Sequence, residues 1–341
     1  MRSDSRQRVP PFRIILPADP GGPQVSTPAS PVAPAASKPS HPALEIGLLM
    51  LLSLIWGGSF TLIKVAIETI PPFTMVAARV TMAAALLTLI ARAQGLSLPR
   101  QAAVWGALFV QGLLQSALPF TLISWGEKHI TSGLAGVLNA TPPLFVLLIA
   151  MMTPHGRQQI GARKITGVGL GLAGVIMTIG VGALQGAGTA APLAQAAVLG
   201  ASFCYALAPI WGQRFSGLPA LVTAAGAMSC AAVLMLPAAV VIERPRTLAP
   251  TSEAIAAVVV LAVVCTAIAM VIYFRLIRTL GALGTTSGSY LRAGFAVALG
   301  VLFLGESFTW STLAGMALIV LGVVAVTAPL PACAGARRPL W

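Results

Sequence analysis

Arg292 makes the sharpest chemical demand in this chain of 341 residues. It stands about halfway along an apolar run, Gly284 to Glu306, reading GTTSGSYLRAGFAVALGVLFLGE. A charge near the middle of a bilayer costs about 2.5–3.5 kcal/mol on insertion scales. The acidic residues Asp4, Asp19, Glu45, Glu68, Glu127, Glu243, Glu253 and Glu306 all fall in tails, connections or helix ends. The guanidinium must therefore find carbonyls, hydroxyls, water or an anionic solute. Thr285, Ser289 and Arg292 follow the i, i+4, i+7 rule and share one helical face, as the wall of a solvated cavity would. An Arg tying two helices together through backbone carbonyls is the competing reading.

A second set of polar residues lies in apolar surroundings. Arg79 sits inside the second apolar stretch, either reaching substrate or closing the outer face on neighbouring helix ends. Gln111 and Gln115 are one turn apart with Pro119 on the same face. Such a pair needs partners on another helix or on a ligand. Asn139 precedes Pro142 and Pro143, which free backbone carbonyls for coordination. Trp56 and Ser59 are one turn apart, as are Ser202 and Tyr205, and Thr266, Met270 and Tyr273 share a face. These aromatics suit either a pocket for a partly apolar ligand or plain packing. Lys64, four residues before Glu68, reads as an interfacial ion pair.

Other chemistry is not expected. His41, His129 and His155 lie in a tail or connections, so no metal site, cofactor or catalytic constellation is expected, and the chain reads as a non-enzyme. No phosphate-binding Gly-Lys-Ser/Thr loop is present in the sequence. With no embedded carboxylate to relay protons, facilitated efflux or exchange, or coupling by another route, is expected. The four cysteines are spaced for neither zinc nor a disulfide framework.

The elements that must position these residues are membrane helices. Apolar residues are 57% of the chain and charged residues 9%, against about 45–50% and 25% in soluble domains. Ten spans are expected, near 43–65, 72–92, 102–124, 132–152, 164–184, 191–213, 218–242, 254–275, 282–303 and 308–328. The glycines of GVGLGLAGVIMTIG (167–180) predict close backbone approach in the fifth. Residues 1–42, with ten prolines, read as a disordered tail, and 329–341 as a short C-terminal tail. Ile14-Ile15-Leu16 is too short for a signal-peptide core. The net charge of +13 is a topology signal and not a nucleic-acid footprint. With the N-terminus cytoplasmic, Arg92, Arg100, Arg157, Arg163, Lys164, Arg214, Arg275, Arg278, Arg337 and Arg338 all lie inside. Only Lys128, Arg244 and Arg246 lie outside, as the positive-inside rule requires.

The chain also repeats itself. Shifted by 150 positions, SGLAGVLNATPPLFVLLIAMM (132–152) falls on the segment of Arg292, placing Asn139 on Ser289, Pro143 on Ala293 and Phe145 on Phe295. At similar offsets Gly167 and Gly174 fall on Gly315 and Gly322, and Pro72 on Pro219. Residues 43–184 and 191–328 are thus two copies. Five crossings is an odd number, so the second copy enters from the opposite side. Inverted repeats of this kind recur in secondary transporters, with the substrate at the midplane seam.

Trp56-Gly57-Gly58-Ser59-Phe60 with Lys64, Pro71-Pro72-Phe73 leading to Arg79, and Pro119-Phe120 with Ser124-Trp125-Gly126 resemble the EamA-type branch of the drug/metabolite transporter superfamily. So do SGLAGVLNATPPLF, CTAIAMVIYFRLIRTLGALG (265–284) and GVLFLGE (300–306). The resemblance spans about 43–328 and implies ten helices, cytoplasmic termini, a bacterial inner-membrane location and alternating-access movement of small metabolites, often export. Two departures stand out: His155-Gly156 replaces the usual Gly-Glu after the fourth helix, and Arg292-Ala293 replaces the proline expected in the ninth. The expected partners are a small solute and membrane lipid, the protein being a monomer or homodimer. A lipid-moving or lipid-bound scaffold is the alternative function.

Overall fold

The computed structural model describes residues 42–152, 162–179, 190–306 and 310–327. Apart from Pro42, the expected tails lie outside the described residues. Every regular element among these residues is helical. The first half contains α1 (Pro42–Ala66), α2 (Pro72–Ala93), α3 (Ala102–Gly112), α4 (Leu118–Gly126), α5 (Ser132–Leu138), α6 (Pro142–Met151) and α7 (Ala162–Ile179). The second contains α8 (Ala190–Gly212), α9 (Ala220–Glu243), α10 (Ser252–Ala262), α11 (Ala269–Ser287), α12 (Ser289–Leu304) and α13 (Trp310–Thr327). One π-helical turn, Leu113–Ala117, joins α3 to α4, and another, Val263–Ile268, joins α10 to α11.

Seven helical stretches among the described residues are long and apolar enough to cross a membrane, and Leu291–Leu304 is a shorter apolar helix. Helices α7 and α13 occupy the two remaining expected positions and pack against each other. Large apolar side chains such as Phe303, Leu302 and Val241 point outward, where a bilayer would cover them.

Helix starts follow local chemistry. Pro71 is extended and Pro72 opens α2 at a position that needs no N–H donor. The hydroxyls of Thr131 and Thr251 accept the backbone N–H of Leu134 and Ala254, capping α5 and α10. Pro219 caps α9 as Pro71 caps α2, so the repeat places Pro71, one residue before the expected Pro72, opposite Pro219.

Mated helices pair across the molecule: α2 with α9, and α7 with α13. In the latter a Cβ on Gly322 would come within 2.5 Å of the Gly167 carbonyl and the Gly171 nitrogen, the close approach predicted for the fifth span.

The central helix α1 runs antiparallel to the eighth span, with Glu45 meeting Arg275 and Thr279 while Trp56 meets Cys265. It runs parallel to the ninth, with Ser53 bonded to the Gly288 carbonyl and Gly57 against Phe295 and the Arg292 carbonyl. The chain has therefore reversed direction between Thr279 and Gly288.

The end of the bundle that holds the C-terminus of α1 and the N-terminus of α2 is tied by two carboxylates of the second half. Glu243 accepts the N–H groups of Phe73 (3.1 Å) and Thr74 (2.7 Å) at the start of α2. Glu306 accepts those of Ser132 (2.7 Å) and Gly133 (3.0 Å) at the start of α5. Both exploit the unpaired donors and positive dipole of a helix N-terminus. The opposite end has the ion pair Arg275–Glu45 at 2.8 Å, with Thr279 also donating to Glu45.

Candidate functional site: a cavity with two guanidiniums between the halves

The break between α5 and α6 follows from its sequence. Pro142 and Pro143 have no N–H, so the carbonyls four residues earlier, on Leu138 and Asn139, lose their helical donors. The Leu138 carbonyl is taken by the hydroxyls of Thr141 (2.8 Å) and Ser202 on α8 (3.0 Å). The Asn139 carbonyl is taken by Arg292, whose Nη2 donates to it at 2.7 Å, to Asn139 Oδ1 at 2.9 Å and to Ser289 Oγ at 3.1 Å. The guanidinium also lies 5.6 Å from the ring centre of Trp56 and 5.8 Å from that of Tyr205, within cation–π range.

Arg79, from the first half, meets a freed carbonyl of the second. In the π-turn Val263–Ile268 the N–H of Ala269 goes to the carbonyls of Val264 and Thr266, releasing that of Cys265 from the ladder. Trp56 Nε1 donates to this carbonyl at 3.1 Å and Arg79 Nη2 at 3.4 Å. Arg79 Nε donates to Thr266 Oγ1 at 2.6 Å, and Thr266 donates onward to the Leu261 carbonyl. The Arg79 guanidinium lies 3.8 Å over the Phe120 ring. At 1% exposure Arg79 is deeply buried, so it does not close the outer face on helix ends.

Both guanidiniums line one cavity between the halves. Arg79 and Arg292 line it with Trp56, Ser59, Gln115, Asn139 and Tyr205, all named by the sequence reading. Phe60, Ile63, Phe120 and Ile123 complete the wall and were not anticipated, since isolated apolar residues in apolar helices carry no signal. Ser289 acts behind Arg292. Tyr273 stands behind Trp56, ring centres 5.5 Å apart. Gln111 is not in the lining; it is buried beside Gly212. Among the described residues, Gln115 Oε1 and Asn139 Nδ2 have no hydrogen-bond partner, leaving an acceptor and a donor on cavity-lining residues. No carboxylate is among the lining residues.

Two acidic-region expectations change. Lys64 does not reach for Glu68; its Nζ donates to the carbonyls of Glu127 and Ile130 (3.0 Å to the latter), at the C-terminal end of α4. Glu127, expected in a connection or at a helix end, caps α4 but is fully buried. Burial pushes its carboxyl well above the usual carboxylate range; Lys64 pulls it down, Glu306 raises it further and Arg79 pulls it down.

A helical bundle built from two related halves, with irregular backbone facing a polar seam, is the architecture of a membrane carrier. Residues 43–180 and 193–328 match the EamA-like transporter family. The chain belongs to that family and is a multi-pass membrane transporter of the drug/metabolite type. It is 30% identical over 284 residues (82% of this chain, 90% of the relative) to the uncharacterized inner membrane transporter YedA of Escherichia coli strain K12. It is 27% identical over 278 residues (82% and 91%) to a "probable terminal-alkyne amino-acid exporter" of Streptantibioticus cattleyicolor. A crystal structure of 22% sequence identity shares the fold, with a TM-score of 0.60 over 84% of this chain and 96% of that one.

Proposed function

We propose that the protein is a secondary carrier that moves small carboxylated metabolites, amino acids among them, out across the inner membrane by alternating access. Ten helices in two inverted five-helix repeats, 43–184 and 191–328, form it, with both termini cytoplasmic. The observation that carries this reading is a cavity between the halves holding Arg79 and Arg292 with no acidic side chain in its lining. Arg292 already spends Nη2 on Asn139 and Ser289, so it is held in place to receive a carboxylate. Trp56 and Tyr205 supply apolar surface for the rest of the solute, and Gln115 Oε1 is an acceptor for an ammonium group. The relative named as an amino-acid exporter supports the same class.

The test is counterflow in proteoliposomes with labelled amino acids and organic acids, preceded by a thermal-shift screen, because a ligand of the folded state raises its apparent stability. Saturable exchange of carboxylated solutes, abolished with their decarboxylated amines, is expected. Movement of fluorescent phospholipid without solute exchange would replace the carrier by a lipid-moving protein.

A further inference from the structure

The carrier cavity makes no use of Glu127, whose carboxylate is in an unusual position. It is 0% exposed, and among the described residues neither oxygen has a hydrogen-bond partner. Nor does an ion pair compensate it: the one found among the described residues is Arg275–Glu45. Lys64 is near, but its ammonium is committed to the carbonyls of Glu127 and Ile130. The carboxylate also lies at the C-terminus of α4, the end of a helix that disfavours negative charge.

The groups around it are few. Helix α1 brings Lys64, α2 brings Arg79, and the α4–α5 connection brings Lys128 and His129, whose ring packs edge-on against Trp125 at 5.2 Å. The end of α12 brings Glu306, already holding the N–H groups of Ser132 and Gly133. Helix α8, packed against Gly126 through Ala194 and Val198, presents the neutral Gln195 and no titratable group in that turn. An ionised carboxylate buried without partners is uncompensated, so the closed arrangement favours the acid form.

We propose that Glu127 is a proton-binding site that holds a proton while this end of the bundle is shut and releases it to water when the end opens. The proton is exchanged with the same side, so the site sets which way the cavity faces and carries no proton across the membrane. The proposal takes from the carrier reading only that this end opens. The sign follows from linkage: the closed form binds the proton more tightly than the open form. Closure is complete at pH below the open-state pKa. It weakens by up to about tenfold per pH unit until the closed-state pKa is passed.

Hydrogen exchange read by mass spectrometry tests this on the full chain in lipid nanodiscs, at pH 6 and pH 9, with rates corrected for intrinsic chemistry. No solute is needed, so a failed transport assay leaves the result standing, and the reverse also holds. In the wild type, protection of amides 127–135 should fall at least tenfold between the two pH values. Glu127→Gln should stay protected at both, while His129→Gln should respond as the wild type does. Should the Gln variant not fold, Glu127→Asp must retain the response. A pH-independent wild type, a Glu127→Gln variant that responds like the wild type, a response lost in His129→Gln or in Glu127→Asp, or one reproduced by sodium at constant pH would each overturn the proton site.

Discussion

The two halves share their backbone faults and differ in what fills them. Both have a π-turn at the same point of the third crossing, Leu113–Ala117 in one and Val263–Ile268 in the other, and each has a later junction between helices, α5 to α6 at Asn139 and α11 to α12 at Gly288. Yet each carries its charge where its mate has none. Arg292 falls on Pro142, and Arg79, counted from the caps Pro71 and Pro219, falls on Ala227. The arginines cross over: Arg79 of the first half fills the π-turn of the second, and Arg292 of the second fills the broken helix of the first. The freed carbonyls are common to both halves, and an arginine without a repeat counterpart fills each set.

Exchanging or removing these charges tests that division, most strongly at Arg292. In Arg292→Met, binding of carboxylated ligands should fall roughly ten- to a hundredfold, from the ~1.5–3 kcal/mol of a hydrogen bond to a charged group. Ligand-induced thermal shifts check this, and an unchanged response would remove Arg292 as the anion's partner. Arg79 is engaged chiefly with protein, so Arg79→Met should act first on stability, by about 1–3 kcal/mol in denaturant unfolding. If it instead weakens ligand binding as much as Arg292→Met does, the two arginines act as one clamp.

Gly57 tests the seam itself. A Cβ there would sit 2.5 Å from the Phe295 Cβ and 2.9 Å from the Arg292 carbonyl. Gly57→Leu should push α12 from α1, costing about 1–3 kcal/mol as overpacking does, with loss of transport. The smallest effect belongs to Pro119→Ala. Pro119 has no N–H to offer the Gln115 carbonyl in the first π-turn, whereas its mate Ala269 has one and gives it to Val264 and Thr266. A change in stability below about 1 kcal/mol would show that the surrounding packing holds the turn. A larger gain would assign the turn to the proline.

Much of the site was legible because its causes are local. The Pro142-Pro143 pair removes two donors wherever it occurs, so the freed carbonyls beside Asn139 could be named in advance. The 150-residue offset similarly placed Ser289 opposite Asn139. The π-turn of the second half was not legible, since no proline marks it. Its Cys265 carbonyl is held out by Trp56 and Arg79, whose approach depends on how α1 and α2 pack. Lys64 illustrates the same limit: Glu68 is four residues away in sequence, but the carbonyls of Glu127 and Ile130 are nearer in space.

The sequence by itself determined the solvent, the helices, the duplication and which carbonyls would lack donors, since these follow from composition, periodicity and the chemistry of proline. Only the tertiary structure decided which donor meets which carbonyl, and that Glu127 is sealed while Gln111 lies off the cavity. Those pairings join residues as far apart as Arg79 and Thr266, 187 positions distant. Such contacts depend on the packing of whole helices and leave no local pattern to read.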